Sequence, residues 1–412
     1  MTSTTTPKRV AVLGAGMVGL STAWYLQEHG VDVTVLDEAG VAAGSSWGNA
    51  GWLTPSIAVP LPEPSVLRYG ARAVLDASSP VFVPPSLDPR LWRFLVTFAR
   101  NCTTRRWEGA MRALVALNRD ALASFQQMED AGVEERTKAA DPFTAAFRDA
   151  RDADALLEEF AHIEASGQQV VHDVIDGAQA RADEPAVGDD IELAIRIREE
   201  RFLNPSTYVD SIAQSVRARG GTVREDVRIT EVQRRAHGVQ VGDESYDAVV
   251  LATGARLNEL GRHHGIRQIV QAGRGYSFTV KIDHLPSGPV YFPTQRVACT
   301  PVGDRLRIAG MMEFRRPEAP MDPRRIQALV GEAGQLLRGA HLDHREDEWV
   351  GARPCTADGL PLIGATSTPR VFAAGGHGMW GITLGPVTGK LLADLVATGT
   401  TPPQLLPFSP VR

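Results

Sequence analysis

Three closely spaced glycines and a later aspartate are the first residues of the chain whose types and spacing indicate a chemical task. Gly14, Gly16 and Gly19 form a GxGxxG pattern, and Asp37 follows 18 residues after the last glycine. Such a turn brings backbone N–H groups and the positive end of a helix dipole to a pyrophosphate, while the acidic residue accepts hydrogen bonds from a ribose. The pattern predicts a dinucleotide site, and the alternative is a glycine-rich turn without a ligand.

The segments around these glycines have the character that such a site needs. Residues 10–13 are a short apolar run typical of a buried parallel strand, and residues 31–36 are a second one. Residues 17–28 favour a helix that Gly30 can end. The following loop, residues 38–53, is rich in small side chains, which let a flat ring or a phosphate approach closely. The alternative for this loop is a flexible surface segment.

The composition is that of a globular protein. The 412 residues exceed one compact unit, so two domains are expected, and 43% hydrophobic with 22% charged residues are ordinary values. The net charge of −6 argues against nucleic acid as the main partner. No apolar run reaches the ~20 residues of a membrane span, and the threonine-rich start lacks the apolar segment of a signal peptide. Because that apolar segment is lacking, we expect a cytoplasmic protein. The three cysteines have neither disulfide-framework nor zinc-ligand spacing, so we expect buried free thiols and no metal.

The chain is expected to leave the nucleotide-binding sheet and return to it. A proline-rich stretch, residues 55–89, interrupts regular structure and marks the departure. Residues 107–131 then have helical spacing of apolar side chains, and residues 275–282 alternate as an antiparallel strand does. Residues 247–255 and 371–378 each combine a buried strand with a glycine turn, which is typical of further strands beside the first. The nucleotide domain is therefore predicted to be discontinuous in sequence.

Five blocks of the chain, in the expected order, resemble the D-amino-acid oxidase superfamily of flavoproteins. The matching blocks are residues 14–19, 44–51, 247–255, 351–364 and 374–381. Within that superfamily the chain is most similar to the bacterial D-amino-acid dehydrogenases and to the glycine/sarcosine oxidase branch. The resemblance covers most of the chain but little of its proline-rich and helical middle.

The resemblance implies an α/β fold of two domains. A Rossmann-like FAD-binding domain, with the GxGxxG turn and a parallel sheet, is expected to comprise residues 1–58, 204–262 and 348–412. Residues 59–203 and 263–347 are expected to form an α+β substrate-binding domain with a mixed, largely antiparallel sheet.

The cofactor that the resemblance implies is FAD, held without a covalent bond. The cysteine that attaches FAD in some sarcosine-oxidase relatives corresponds here to Gly351 and not to Cys355. The glycine pattern and the resemblance together assign FAD contacts to Gly14, Gly16, Met17, Val18, Gly19, Asp37, Glu38, Gly44, Ser45, Ser46, Asn49, Ala50, Gly51, Trp52, Leu53, Val227, Ala252, Thr253, Gly254, Gly378, Gly381, Ile382 and Thr383.

Arg353 is the first candidate for the substrate anchor. In related oxidases the arginine of the Arg-Pro…Asp-Gly block binds the substrate carboxylate, and a guanidinium can do so through two parallel hydrogen bonds. The alternative is an ion pair between Arg353 and Asp347 or Glu348. Tyr276 is a second candidate, for the carboxylate or for a pocket wall, and its alternative is an ordinary aromatic residue of the sheet.

The last block supplies a turn and the start of a helix. Gly378 and Gly381 allow backbone N–H groups to approach the flavin, and the helix that begins near Ile382 directs its positive end there. His377 is a candidate proton carrier, but a structural or flavin-contacting role is favoured because oxidation of a neutral amine needs no strong base. Trp380 stands where some relatives carry a second arginine, so it is expected to wall the pocket and to favour an apolar or cyclic substrate side chain.

The predicted activity is FAD-dependent oxidative deamination of a D-amino acid or a cyclic secondary amino acid such as a proline derivative. The alternatives are oxidation of N-methyl amino acids or 2-hydroxy acids, and a non-catalytic FAD-binding subunit. The electron acceptor is expected to be a quinone, an electron-transfer protein or O₂. Residues 55–85 are apolar enough to permit peripheral docking at the inner face of a membrane, although a lid or core role explains them equally well.

Overall fold

The computed structural model of the protein describes residues 6–64 and 79–412. Part of the apolar stretch considered for membrane docking, including Val66, Leu67 and Tyr69, therefore lies outside the described residues. The described strands are β1 (Arg9–Leu13), β2 (Asp32–Leu36), β3 (Trp52–Leu53), β4 (Val81–Phe82), β5 (Lys138–Ala140), β6 (Phe143–Phe147), β7 (His172–Asp176), β8 (Leu193–Ile197), β9 (Glu200–Phe202), β10 (Thr222–Arg224), β11 (Val232–Arg235), β12 (Gly238–Val241), β13 (Glu244–Tyr246), β14 (Ala248–Leu251), β15 (Val270–Val280), β16 (Val290–Phe292), β17 (Val297–Val302), β18 (Arg305–Phe314), β19 (Glu346–Thr356), β20 (Leu362–Ala365) and β21 (Val371–Gly375).

The described α-helices alternate with these strands. They are α1 (Met17–Glu28), α2 (Pro89–Asn101), α3 (Thr104–Asp130), α4 (Ala153–Ala165), α5 (Gly177–Asp183), α6 (Pro205–Ala218), α7 (Leu257–Gly261), α8 (Pro323–Leu336) and α9 (Gly381–Thr398). None of the helices in the described ranges is long and apolar enough to cross a membrane.

The first sheet confirms the predicted nucleotide-binding architecture. Its strand order is β10-β2-β1-β14-β21-β20, and all neighbours run parallel except β20, which is antiparallel to β21. These strands come from three separate parts of the chain, so the sheet is discontinuous in sequence as predicted. Helix α1 packs against α9 and α6, which buries its Leu20, Ala23 and Trp24 completely.

The second sheet is the mixed, largely antiparallel one that the sequence predicts. Its order is β19-β15-β18-β17-β16-β6-β8-β7, with β4 added beside β18. The β16–β6 and β18–β4 pairs are parallel, and the other neighbours are antiparallel. Helix α8 packs on this sheet through Ile326, Leu329 and Ala333, which are buried in the same apolar core as Phe278 and Ile308. The edge strand of this sheet, β19, contacts the turns that follow β14 and β21 of the first sheet.

Two segments differ from the sequence prediction. The sequence of residues 227–232 favours a strand, but the structure begins β11 only at Val232, and the Val227 amide instead donates to the Asp37 carbonyl at 2.8 Å. Residues 346–356 pair along β15 in the second sheet, although the predicted boundary placed residue 348 onward in the first domain. Nine residue pairs join β19 to β15, so this strand belongs to the second sheet, while the division into domains stays a prediction.

Candidate active site

The glycine turn between β1 and α1 has the geometry that its sequence predicts. Gly14 has φ +116°, which L side chains rarely adopt, and a Cβ there would collide with the Ala252 carbonyl oxygen. A Cβ at Gly19 would collide with the Gly14 carbonyl oxygen. Both positions need glycine, because α1 lies directly against the turn and against the end of β14.

The Asp37 carboxylate holds this turn in place. Its Oδ2 accepts from the Ala15 amide at 2.7 Å, and its Oδ1 accepts from the Ala39 and Gly40 amides at 2.9 Å each. Three of the roughly four acceptor positions of a carboxylate are therefore used within the protein. The predicted hydrogen bonds to a ribose depend on the acceptor capacity of Asp37 that remains unused, and that role stays a prediction.

A long cavity runs from this turn to the edge of the second sheet. Twenty of the residues assigned in advance to FAD or substrate line it: Gly14, Gly16, Met17, Val18, Gly19, Asp37, Glu38, Gly44, Ser45, Ser46, Asn49, Val227, Ala252, Thr253, Gly254, Arg353, His377, Gly378, Gly381 and Ile382. Residues that are more than 300 positions apart in sequence thus share one cavity wall.

Two helices, α1 and α9, direct their N-termini to this cavity. Neither α1 nor α9 has a side-chain N-cap, and Gly378, Gly381 and Ile382 at the start of α9 line the cavity. The Ser46 hydroxyl accepts from the Met17 amide at 3.2 Å at the start of α1. Two positively polarised helix ends facing one elongated cavity, with glycines where side chains would intrude, fit a cofactor with a pyrophosphate and a ring that gains negative charge.

Charged residues occur at the end of the cavity beyond Asp37. Arg256 forms an ion pair with Glu38 at 2.5 Å and approaches Glu318 at 3.5 Å, while Arg228 lies 3.7 Å from Glu38. Sequence reasoning missed Arg256 and Arg228, which both line the cavity. Arg256 immediately follows the strand and glycine turn of residues 247–255, and that position was the available signal.

The Arg353 guanidinium has no acidic partner among the described residues. Its Nη1 donates to the Met311 carbonyl at 2.7 Å and lies 4.0 Å from the Met312 sulfur. Asp347 and Glu348, the carboxylates considered as alternative partners, bind Thr279 and Arg345 instead. Burial lowers the pKa of Arg353 below its usual value, yet a guanidinium remains charged at pH 7. A half-buried cation therefore faces the cavity with most of its donors unused.

An irregularity in the second sheet provides a backbone acceptor for Arg353. The register of β15 against β18 shifts between Arg274 and Tyr276, and Met311 opposite this shift has φ +65°. Such a bulge turns a carbonyl out of the ladder, and here the Met311 carbonyl meets Arg353. Gly275 leaves the space that the guanidinium fills, because a Cβ there would overlap its carbon and both terminal nitrogens.

His377 has a structural contact at its ring. Its Nε2 lies 3.0 Å from the Thr388 hydroxyl in α9, and its side chain is only 4% exposed. Burial lowers the pKa of His377 to about 4, so the imidazole is neutral at pH 7. These contacts favour the structural role over that of a proton carrier.

Trp380 does not line the cavity, contrary to the expectation that it walls the pocket. Its Nε1 donates to the Val59 carbonyl at 2.7 Å, and its ring packs between two apolar cores of the protein. The indole is drawn there because it can bury its ring and satisfy its one donor at the same time. Trp380 therefore ties the last turn to the segment after residue 58.

Tyr276 also lies away from the cavity. Its side chain is 1% exposed, and its hydroxyl donates to Glu313 Oε2 at 2.7 Å. Glu313 is itself buried and lies 3.4 Å from the Arg274 guanidinium. Alternation along β15 explains the placement, because Tyr276 points to the face opposite Gly275 and Arg353. The hydroxyl is thus occupied within the sheet and is not available to a substrate carboxylate.

Five of the assigned cofactor residues lie outside the cavity wall. Ala50, Gly51, Trp52 and Leu53 continue the chain from the cavity into β3, and Thr383 donates to the Trp52 carbonyl at 2.9 Å. Trp52 packs edge-on against Phe143 and Tyr291, with ring centroids 4.7 and 5.1 Å away. The three cysteines are free and buried, as predicted.

Comparison with known proteins agrees with the fold and the cavity. The family described as DAO, FAD dependent oxidoreductase, matches residues 9–395. The chain is 31% identical over 404 residues to D-amino acid dehydrogenase 1 of Mesorhizobium japonicum, which covers 94% of this chain and 96% of that protein. It is likewise 31% identical over 403 residues to a D-amino acid dehydrogenase of Rhizorhabdus wittichii, with 94% and 96% covered.

Two solved structures have the same fold. Glycine oxidase from Bacillus cereus superimposes with a TM-score of 0.75 at 19% identity, covering 98% of this chain and 99% of the other. L-proline dehydrogenase from P. horikoshii gives a TM-score of 0.71 at 15% identity, covering 99% and 98%. With a family match along nearly the whole chain and relatives at 31% identity, the protein belongs to the DAO family of FAD-dependent oxidoreductases, and its cofactor is FAD.

Proposed function

We propose that this protein oxidises the Cα–N bond of an amino acid with an uncharged, apolar side chain, either a D-amino acid or a cyclic secondary amine such as a proline derivative. The observation that carries the proposal is the Arg353 guanidinium, which faces the cavity without an acidic partner in the described residues. The relatives at 31% identity that are named D-amino acid dehydrogenases support the amino-acid substrate and the D configuration.

Arg353 would bind the substrate carboxylate. One of its five N–H groups is used by the Met311 carbonyl, which leaves donors for two parallel hydrogen bonds to a carboxylate. Because its position is fixed on both sides, by Met311 and by the close backbone of Gly275, the anchor would orient Cα as well as retain the substrate.

The side-chain preference follows from the neighbours of Arg353. Val350, Ala352, Pro354 and Met379 line the same cavity as Arg353, and all four are uncharged. A second carboxylate or an ammonium on the substrate side chain would be desolvated there without a partner, which is costly.

Bound FAD supplies the two-electron acceptor for the hydride that leaves Cα. A substrate amine that binds in its neutral form requires no side-chain base, and His377 is poorly suited to be one because burial lowers its pKa and Thr388 engages its Nε2. The imino acid formed hydrolyses to a 2-oxo acid and an amine. The electrons then pass to a quinone, an electron-transfer protein or O₂, and the rate at which air reoxidises the reduced protein identifies O₂ as the acceptor or rejects it.

Anaerobic flavin reduction tests the proposal. The purified protein is mixed with D- and L-amino acids, N-methyl amino acids, proline derivatives and 2-hydroxy acids, and bleaching of the visible flavin band is followed. We expect fast bleaching by apolar D-amino acids or proline derivatives. Bleaching by hydroxy acids or N-methyl amino acids alone would assign those substrates instead, and no bleaching by any compound would favour a non-catalytic subunit.

Arg353→Met tests the anchor with Arg345→Met as its control. Arg345 precedes β19 and pairs with Glu348 at 3.0 Å, and it does not line the cavity. Losing two charge-assisted hydrogen bonds should lower kcat/KM of Arg353→Met by about 100- to 10,000-fold. Equal reduction rates in Arg353→Met and the parent at low substrate would remove Arg353 as the anchor.

A further inference from the structure

Arg307 is a buried arginine of the second sheet that the proposed chemistry does not use. It lies in β18, its residue is 4% exposed, and within the described ranges no carboxylate pairs with it. Its Nη1 donates to the Trp47 carbonyl at 3.0 Å and to the Asn49 carbonyl at 3.3 Å. The guanidinium carbon also lies 5.6 Å from the centroid of the Trp47 ring, and the Asp347 charge acts on it from beyond ion-pair distance. Burying a guanidinium without a directly bonded carboxylate is costly.

The segment that Arg307 binds is the small-residue loop, residues 44–51, of which Gly44, Ser45, Ser46 and Asn49 line the cavity. Ser277 on the neighbouring strand donates to the Gly48 carbonyl at 2.7 Å, between the two carbonyls that Arg307 binds. The Trp349 indole fills the space in which a Gly48 side chain would lie. Three consecutive carbonyls of the loop are therefore held by the second sheet.

On its other side the loop meets the first sheet. The Ser46 hydroxyl accepts from the Met17 amide at 3.2 Å, at the N-terminus of α1. The small-residue loop thus lies between the glycine turn and β18, and the second sheet fixes its orientation.

Holding these carbonyls also fixes the direction of the amides. In a planar trans peptide the C=O and N–H point in opposite directions. Because the Trp47 and Asn49 carbonyls point to Arg307, the Gly48 and Ala50 amides point away from it. These two amides have no hydrogen-bond partner in the described part of the chain, whereas the Asn49 and Gly51 amides bind Ser46 and the Asn49 side chain.

We propose that Arg307 and Ser277 are positioning residues for FAD: by holding the Trp47, Gly48 and Asn49 carbonyls, they fix the orientation of the loop whose Ser46 and Asn49 line the cofactor cavity. The buried positive charge of Arg307 also adds to the potential on that side of the cavity. The inference depends on the FAD of the family and not on the substrate that the protein oxidises.

The test measures FAD binding and flavin properties in the absence of substrate. Apoprotein is titrated with FAD, and the absorption spectrum and midpoint potential of the bound flavin are recorded. Arg307→Met should raise the Kd for FAD by about 10- to 100-fold, and Ser277→Ala by about fivefold, from the loss of charged and neutral hydrogen bonds respectively. Arg307→Lys keeps the positive charge and can donate toward one of the two carbonyls, so its Kd for FAD should lie between those of Arg307→Met and the parent. The bound flavin of Arg307→Met should have a lower midpoint potential and an altered band shape.

Arg305→Met is the matched control. Arg305 lies two residues earlier in β18 and pairs with Glu346 at 2.7 Å, without a contact to the small-residue loop among the described residues. Its variant should keep the parent's Kd, spectrum and potential. If Arg307→Met and Ser277→Ala keep the parent's Kd for FAD, flavin spectrum and midpoint potential, the proposal is overturned. It is also overturned if these variants have a lower thermal midpoint but an unchanged potential and spectrum of the bound flavin. If Arg307→Met does not fold, Ser277→Ala and Arg307→Lys decide by the same criteria.

Discussion

Gly275 provides the space for the Arg353 guanidinium, so replacing it with alanine moves that group without removing its charge. The alanine Cβ would lie more than 1 Å inside ordinary contact distance, 3.4–4 Å, of the guanidinium carbon and both terminal nitrogens. The Gly275 backbone is not in the left-handed region, and an alanine there is therefore not strained by its dihedral angles. The guanidinium has to retreat by about 1 Å or more.

A retreat of that size breaks the proposed carboxylate contact. Hydrogen bonds of this type span roughly 2.7–2.9 Å, so both would exceed bonding distance if the substrate stayed in place. If the substrate follows, Cα leaves its position for hydride transfer, and misplacement by about 1 Å costs about 100-fold in rate. We expect kcat/KM of Gly275→Ala to fall by about 100-fold, with a loss smaller than that of Arg353→Met.

Stopped-flow reduction under anaerobic conditions gives the rate and the apparent substrate affinity separately. FAD content and thermal midpoint are measured beside them, because the substitution should change neither strongly. Gly331→Ala serves as the control, since Gly331 is exposed on α8 and has no atom within 4 Å of its added Cβ. A Gly275→Ala enzyme within a factor of three of the parent would refute the assignment of Arg353 and its supporting glycine.

Three further variants test other parts of the structure. Burial lowers the pKa of His377 from 6.5 to about 4, so between these pH values the unfolded chain binds a proton that the folded protein does not. Up to about 3 kcal/mol of stability should therefore be lost as pH falls from 6.5 to 4. His377→Gln should lack this loss in urea unfolding at pH 7 and 5, and parallel losses in variant and parent would contradict the assignment. Burial raises the pKa of Glu200 to about 8, so the contribution of Glu200 to stability is lost as pH rises from 4.5 through 8. Glu200→Gln should therefore raise the thermal midpoint at pH 8 more than at pH 5. An equal rise of the midpoint at both pH values would disprove the assignment. Trp380→Phe loses the hydrogen bond to the Val59 carbonyl, which should lower the free energy of unfolding by about 1 kcal/mol and change the FAD affinity little. A tenfold rise in the Kd for FAD at unchanged stability would mean instead that Trp380 contacts the cofactor.

The parts of the fold that depend on local sequence were predictable. The strand, glycine turn and helix of residues 9–28 follow from an apolar run, a residue pattern and a helix terminator within one short stretch. Helix α8 begins at Pro323, where the Asp322 side chain accepts from the Arg324 amide, as an Asp-Pro start predicts. The residues that line the cavity near the glycine turn come from these local motifs, which is why most of them could be predicted.

The residues that were misplaced depend on which sheet a strand joins and which face a side chain takes. Tyr276 was considered a pocket residue, but strand alternation and the bulge opposite Gly275 turn it to Glu313. Trp380 was expected at the pocket because of its position in the last block, but a carbonyl more than 300 residues earlier binds its indole.

The sequence by itself determined the dinucleotide turn, the discontinuous parallel sheet, the resemblance that implied FAD, and Arg353 as the anchor candidate, because each rests on a short pattern of neighbouring residues. Only the tertiary structure decided that Arg353 has no acidic partner in the described residues and that Arg307 holds the loop at residues 47–49. Both depend on contacts between strands far apart in the chain, whose register is set by the packing of whole sheets and not by any local motif.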